Sequence, residues 1–228
     1  MGAHGRIVIL PSPLLPTLAY AGLAEALTRA GAEVSITRAD LGPGEGAPEL
    51  VNRWAGELEQ GSRIVAHSNA GYLAPLVREK AGSHQGIVFM DAALPPESGT
   101  FTLAPARFRE LLGRLADGAG MLPPWTRWWP REQLADVIPD EQFDQIDRAC
   151  PRLSLPYFDS QLCAPTDWTA GPNAYLAFGA TYADELTFAR RQLWPSATLT
   201  GSHLAFVGSP DEVAAALLDL VEQLPRDG

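Results

Sequence analysis

The sequence predicts an α/β protein with a mostly parallel central sheet of about six strands and helices on both of its faces. Short apolar runs recur along the 228 residues and alternate with segments of helical periodicity. Strands that are apolar throughout are typical of a parallel sheet that helices cover on both sides. The length suits one large domain, or one domain that carries an insertion.

The first part of the chain supplies four of the strands and the helices that connect them. The predicted strands are 6–10, 33–38, 63–68 and 86–91, and the predicted helices are 17–30, 48–60 and 70–80. Gly31 suits the end of the first helix because glycine adopts the left-handed conformation of a C-terminal cap. In the second helix, Leu50, Trp54 and Leu58 recur at intervals of four residues and predict one buried face.

The alternation stops at Pro95-Pro96 and resumes at residue 173. Residues 95–172 hold four of the six tryptophans and many prolines, with short helical patterns and no convincing strand. We therefore expect a core formed by 1–94 and 173–228, with 95–172 inserted as a helical cap.

The last part of the chain completes the sheet. Strands are predicted at 173–179 and 197–201, with a helix between them. The final helix begins with a capping box, in which Ser209 is the N-cap, Pro210 suits the first turn and Glu212 reaches back to the cap.

Composition excludes several classes of function. The net charge of −10 disfavours a nucleic-acid partner, because the phosphate backbone would be repelled. No apolar run approaches the ~20 residues that span a bilayer, and no leader pattern is present, so we expect a cytoplasmic protein without a membrane partner. Cys150 and Cys163 are expected to be buried thiols, and no metal-ligand spacing or cofactor motif is found.

Ser68 stands where a buried strand passes directly into a helix. An activated serine needs a sharp, exposed turn and a nearby base, and the amides of a helix N-terminus favour a developing anion. Such a turn needs small neighbours, which are Ala66, Ala70 and Gly71. This segment alone leaves two interpretations open: Ser68 is a nucleophile, or it only caps the helix.

His203 is the candidate base. It follows the last predicted strand and precedes the capped helix, which places it on a loop at the carboxyl end of the sheet, where ligands of parallel sheets bind. His4 and His84 fit less well because they lie in the N-terminal tail and in a polar loop. His67 precedes Ser68 directly, so its side chain is expected to point away from that serine.

The order of elements, the segment AHSNAG at 66–71 and the segment GSHLAFVGSPDEVAAAL at 201–217 resemble the α/β-hydrolase superfamily. The resemblance covers nearly the whole chain. The elbow motif of that superfamily is G-x-S-x-G, and here small residues replace the glycines, with Gly71 one position later. The resemblance implies that Ser68 is the nucleophile, that His203 is the base, and that the first two strands of the superfamily are missing.

The superfamily also implies an acid that orients the histidine. Its usual place follows the strand at 173–179, but Tyr182 stands there, and Asp184 and Glu185 come slightly late. Asp91, at the end of the preceding strand, occupies the place from which some lipases of the superfamily take their acid. We favour Asp91 over Asp184, and the alternative is that Asp91 only caps the following turn.

The oxyanion loop differs from the superfamily pattern. Pro11 and Ser12 replace the usual His-Gly pair, and Pro13 falls where an amide donor is expected, although proline has no N–H group. Leu14 could supply that donor if the loop is shifted by one residue, and Asn69 supplies the second.

An aromatic cluster in the insertion indicates a pocket for a mostly apolar substrate, either a small molecule or a peptide-like metabolite. It comprises Trp125, Trp128 and Trp129, which are either substrate-binding surface or the small core of the cap.

Three hypotheses follow from these residues. The first is serine-dependent hydrolysis of an ester, thioester or amide. The second is a non-hydrolytic enzyme of the same fold, an epimerase, isomerase, lyase or cyclase of natural-product biosynthesis. The third is a binding protein without catalysis, since a fold alone does not imply a function.

Overall fold

The structure is a computed structural model that describes residues 5–42, 44–82 and 85–225. His4 and His84, the two lesser candidates for the base, lie outside the described residues.

A parallel sheet of six strands forms the centre of the protein, in the order β2-β1-β3-β4-β7-β8. Its strands are β1 (Arg6–Leu10), β2 (Glu33–Ile36), β3 (Arg63–Ser68), β4 (Ile87–Ala92), β7 (Asn173–Phe178) and β8 (Ser196–Leu199). The chain runs from β1 outward to β2 and then returns to β3, so the order reverses beside β3. Ligands of open parallel sheets bind at the carboxyl ends of the strands at such a reversal.

Helices cover both faces of this sheet, as predicted. On one face lie α1 (Ala21–Arg29) and α9 (Pro210–Gln223), which pack on each other. On the other lie α2 (Ala47–Glu57), α3 (Ala74–Lys80) and α7 (Ala183–Arg191). The strands β3, β4 and β7 are buried on both sides, which explains why their sequences are mostly apolar, whereas the edge strands β2 and β8 are partly exposed.

The segment between β4 and β7 contains mostly short helices. They are α4 (Ala106–Leu115), α5 (Asp140–Ala149), α6 (Leu155–Asp159) and the 3₁₀ turns Trp125–Arg127, Arg131–Leu134 and Trp168–Ala170. The expectation that this segment holds no strand is wrong, because β5 (Thr100–Phe101) pairs with β6 (Leu162–Cys163) in an antiparallel ribbon. Two-residue strands carry too little pattern to be predicted. The division into core and cap stays a prediction.

Two further expectations concern single features. Neither cysteine forms a disulfide, but only Cys150 is buried, and the prediction that Cys163 is buried is wrong. None of the helices in the described part of the chain has the length and apolarity that a membrane crossing needs.

Candidate active site

Ser68 is the last residue of β3 and adopts a strained backbone conformation, with φ of 58° and ψ of −128°. A 3₁₀ turn, Asn69–Tyr72, follows immediately and leads, after Leu73, into α3, where the sequence predicts one continuous helix from residue 70. Gly71 makes this turn possible, because a Cβ atom there would lie 2.1 Å from the backbone oxygen of Ala93. The sharp turn therefore depends on a residue without a side chain beside the end of β4. Non-glycine residues at positive φ are uncommon and cluster at functional sites.

Asp91 lies near the end of the neighbouring strand β4 and also has a positive φ, of 42°. Its side chain is fully buried. One carboxylate oxygen, Oδ1, accepts a hydrogen bond from the backbone N–H of Phe178 at 2.8 Å. The pairing of β3 with β4 is irregular between His67 and Ser68, and Ser68 is paired with Ala92. The two adjacent strands thus hold Ser68 and Asp91 at the same edge of the sheet.

His203 lies on the loop between β8 and the short helix α8 (Ala205–Gly208) and links the other two residues. Its Nε2 is 2.9 Å from Ser68 Oγ, and its Nδ1 is 2.7 Å from Asp91 Oδ2. A carboxylate facing Nδ1 favours a proton on that nitrogen, so Nε2 is left to accept the proton of the serine hydroxyl. Ser68, His203 and Asp91 form one chain of hydrogen bonds with the geometry of a serine–histidine–acid triad.

The two alternative acids lie elsewhere. Asp184 and Glu185 occupy the first turn of α7, where carboxylates stabilise the helix dipole. Both ring nitrogens of His203 are already bonded to Ser68 and Asp91. Burial raises the pKa of Glu185.

The loop after β1 approaches Ser68 through Leu14 and not through Pro13. Leu14 lines the cavity at Ser68, whereas Pro13 borders a separate surface depression. The N–H of Leu14 donates a long hydrogen bond of 3.3 Å to Ser12 Oγ, and its carbonyl accepts one from the Cys150 thiol. Leu14 is thus the residue of this loop that reaches the site.

Asn69 also lines the cavity, and its side chain is held rigidly. Its amide nitrogen donates to the carbonyl of Leu103 at 3.0 Å, and its amide oxygen accepts from the hydroxyl of Tyr157 at 2.8 Å. These bonds attach the turn after Ser68 to the segment between β4 and β7.

The cavity above Ser68 has a volume of about 370 Å³. Its lining residues are Leu14, Ser68, Asn69, Phe108, Trp125, Trp129, Gln133, Leu134, Val137, Thr181, Tyr182 and His203. Trp125 lines it as predicted, but Trp128 does not. Trp128 is buried, and its indole N–H donates to the carbonyl of Pro123, whereas the neighbouring Trp129 lines the cavity. Among the residues that the structure describes, no lysine, arginine, aspartate or glutamate lines the cavity.

Tyr182 is a cavity residue whose role at the site the sequence does not indicate. Its ring lies 5.5 Å from that of His203, centroid to centroid. Burial raises the pKa of Tyr182, while hydrogen bonding with the Ser68 side chain lowers it in part, so the phenol stays protonated at neutral pH. The sequence points to Tyr182 only by its position, since Tyr182 stands where the resemblance to the α/β-hydrolase superfamily implies an acid.

Two other features of the described residues bear on the chemistry. Within 5–42, 44–82 and 85–225, no group of histidine, cysteine and carboxylate side chains could hold a metal ion. A wider depression of about 940 Å³ lies at the opposite edge of the sheet, beside the amino ends of β7 and β8, and includes none of the triad residues.

Neither a protein-family model nor the sequence of a curated protein matches this chain. Many solved structures are similar to it, and three of them illustrate the likeness, each over at least 96% of this chain. An extracellular α/β-hydrolase from a Paenibacillus species is 16% identical, with 99% of that chain covered and a TM-score of 0.75. A pyrethroid hydrolase from Sphingobium faniae is 17% identical, with 97% covered and a TM-score of 0.64. Tomato methylketone synthase I is 12% identical, with 99% covered and a TM-score of 0.64. The six-stranded parallel sheet, its covering helices and these likenesses together show that the chain has the α/β-hydrolase fold.

Proposed function

We propose that this protein is a serine hydrolase that cleaves an ester or thioester of a neutral, mostly apolar molecule. The observation that carries the proposal is the continuous hydrogen-bonded chain from Ser68 through His203 to Asp91 at the floor of an apolar cavity. An amide substrate fits the same chemistry.

The proposed reaction follows from the position of the protons. His203 Nε2 removes the proton of Ser68 as Oγ attacks the substrate carbonyl, and Asp91 stabilises the imidazolium that forms. His203 then gives the proton to the leaving alcohol or thiol, which produces an acyl-enzyme. Water, activated by His203, releases the acid and restores Ser68.

The oxyanion would be held by the backbone N–H groups of Asn69 and Leu14. The Leu14 amide would exchange its 3.3 Å bond to Ser12 Oγ for a bond to the charged oxygen. That exchange is favourable because hydrogen bonds to charged acceptors are stronger than neutral ones.

The lining of the cavity selects the substrate class. Apolar and aromatic side chains dominate it, and the polar groups that it contains besides the triad are hydroxyls and amides, at Asn69, Gln133, Thr181 and Tyr182. A carboxylate or phosphate on the substrate would be desolvated without a cationic partner, which costs several kcal/mol. We therefore expect neutral acyl and leaving groups.

A second candidate is a non-hydrolytic reaction in the same cavity, as the name of the tomato methylketone synthase illustrates for another protein of this fold. The observation that favours it is the oxyanion loop, where Pro13 has no N–H and the Leu14 amide is directed at Ser12. Loss of one oxyanion donor costs about 10²–10³ in the rate of acyl transfer.

A fluorophosphonate probe and a panel of p-nitrophenyl esters test the proposal. We expect stoichiometric labelling of the wild type, no labelling of Ser68→Ala, and an ester hydrolysis rate that falls by about 10⁶-fold in that variant. Ser98→Ala is the matched control, because Ser98 is exposed on a loop and does not line the cavity at Ser68.

An unlabelled wild-type protein with an intact circular dichroism spectrum would contradict the proposal. Labelling at Ser68 without hydrolysis of any ester or thioester in the panel would favour the second candidate.

A further inference from the structure

A buried histidine that the proposed reaction does not use lies directly under the triad. His67 is fully buried and precedes Ser68 on β3. Its Nδ1 is 2.8 Å from the hydroxyl of Tyr20, and its Nε2 is 3.1 Å from the backbone oxygen of His203. The strand alternation points His67 away from Ser68, as predicted, yet it reaches the base from the other side.

The hydrogen bonds that link Ser12, Tyr20, His67 and His203 determine which of their atoms carry the protons. The backbone N–H of Ser12 donates to the hydroxyl oxygen of Tyr20 at 2.8 Å, so the Tyr20 proton is available for His67 Nδ1. His67 Nε2 faces a carbonyl oxygen, which only accepts, and must therefore carry the proton. When His67 is neutral, every donor and acceptor in this series of hydrogen bonds has a partner.

Electrostatics favours the same state. Burial lowers the pKa of His67 well below its usual value, and the charge of His203 lowers it further. The two imidazole rings are stacked, with centroids 4.6 Å apart and an angle of 27° between their planes. Among the described residues, the titratable groups that contact His67 are Tyr20 and His203. Because the ring of His67 is neutral, it does not repel the positive charge that His203 gains in the proposed reaction.

The chain therefore connects the two loops on which the proposed reaction depends. At one end is the loop of Ser12, whose next residues lead to Leu14 and its candidate oxyanion amide. At the other end is the loop of His203, the proposed base. Phe206 packs on Tyr20 and His67, at 4.8 Å and 4.9 Å between centroids, and holds both rings in place.

We propose that His67 and Tyr20 are positioning residues that couple the oxyanion loop to the general-base loop through this buried hydrogen-bonded chain. The inference rests on the proposed function, since it assigns both loops their roles. A core histidine whose only role is to complete its own hydrogen bonds would stabilise the fold without coupling one loop to the other.

Three substitutions separate the two ends of the chain. His67→Asn keeps an acceptor near Tyr20 and loses the donor to His203. His67→Gln keeps a donor near His203 and loses the acceptor for Tyr20. Tyr20→Phe keeps the ring that packs on Phe206 and removes only the hydroxyl. The control is Tyr72→Phe, which removes the hydroxyl of a tyrosine that takes no part in this series of hydrogen bonds.

The first measurement is the second-order rate of fluorophosphonate labelling. We expect His67→Asn to slow labelling by about 10- to 100-fold, because a small displacement of a catalytic group has effects of that size. Because His67→Gln and Tyr20→Phe break the same link, the double variant should be no slower than the slower single variant. Rates whose reductions multiply in the double variant would overturn the proposal.

The second measurement does not depend on hydrolysis and separates failure of this inference from failure of the proposed function. Hydrogen–deuterium exchange of Tyr20→Phe should accelerate both at 12–15 and at 201–205, while Tyr72→Phe should leave both segments unchanged. Nitrogen NMR of the four histidines should show His67 protonated at Nε2 throughout pH 5.5–8. Acceleration confined to 12–15, or a His67 ring that titrates in this range, would overturn the coupling even if Ser68 proves to be a nucleophile.

Discussion

Replacing Asp91 with asparagine exchanges a carboxylate for an amide at a position where both oxygens accept hydrogen bonds. Oδ1 accepts from the N–H of Phe178 at 2.8 Å, and Oδ2 accepts from His203 Nδ1 at 2.7 Å. An asparagine has one acceptor oxygen and one donor NH₂, so it can satisfy only one of these partners.

The outcome depends on the orientation of the amide. If its oxygen stays on Phe178, the NH₂ faces Nδ1 of His203 and forces the proton to Nε2, where it points at Ser68 and prevents general-base catalysis. A loss of about 10⁴ in rate is typical of the wrong tautomer, which corresponds to about 5.5 kcal/mol of barrier. In the opposite orientation the buried Phe178 N–H loses its acceptor, which costs about 1–3 kcal/mol of stability.

The assay is the labelling rate together with hydrolysis of a p-nitrophenyl ester and the urea midpoint of unfolding. Asp184→Asn is the matched control, because Asp184 is exposed in α7 and should leave all three quantities unchanged. If Asp91→Asn retained activity within tenfold of the wild type and normal stability, the assignment of Asp91 as the acid would be refuted. An Asp184→Asn variant that lost activity would refute it as well.

Further substitutions test the turn, the cavity and the buried histidine. Gly71→Ala places a Cβ 2.1 Å from a backbone oxygen and should lower the free energy of unfolding by about 3 kcal/mol or more, whereas Gly56→Ala, in open space on α2, should raise it by about 0.5–1 kcal/mol in urea unfolding. Trp129→Ala should raise KM for an aryl ester about tenfold through lost apolar contact with little change in stability, while Trp128→Ala should destabilise the fold by about 3 kcal/mol or more. The pKa of His67 is lowered by burial, so the unfolded chain alone binds that proton below pH ~6.5. Stability should fall with decreasing pH by up to about 1.4 kcal/mol per unit, and His67→Gln should remove this slope; an unchanged slope would show that His67 is charged in the fold.

The sheet is predicted well because its signal is local. The strand observed at Asn173–Phe178 was expected at 173–179, and the strand at Ser196–Leu199 was expected at 197–201. Each is short, apolar or β-branched and bounded by turn residues, so neither depends on distant contacts for its pattern. The ribbon between Thr100–Phe101 and Leu162–Cys163 has no such signal, because its pairing joins segments that are far apart in the sequence.

In the candidate site, too, the sequence predicts the features that depend on local pattern and misses a contact that depends on the path of a loop. The placement of Ser68, His203 and Asp91 at strand ends is visible in the sequence, because carboxyl ends of parallel strands share one edge of the sheet. The contact of His67 with His203 is not visible, since the path of the His203 loop decides it.

Local sequence pattern also fails to distinguish the neighbouring tryptophans of the segment between β4 and β7. Trp128 and Trp129 are adjacent in sequence, beside a 3₁₀ turn, and face different surroundings. No hydrophobic period separates two neighbours in so short a turn, so composition predicts the aromatic lining without identifying its members.

The origin of Asp91 on β4 has a consequence for how this protein could change its specificity. Ser68 and Asp91, the proposed nucleophile and acid, lie at the ends of adjacent strands, so in this proposal the segment after β7 does not supply the carboxylate of the triad. That segment instead contributes Thr181 and Tyr182 to the cavity lining, to which the segment between β4 and β7 contributes Trp125 and Trp129. We therefore expect both parts of the cavity lining to tolerate substitutions better than the strand ends that carry Ser68 and Asp91, and variants selected for new acyl groups should accumulate changes there.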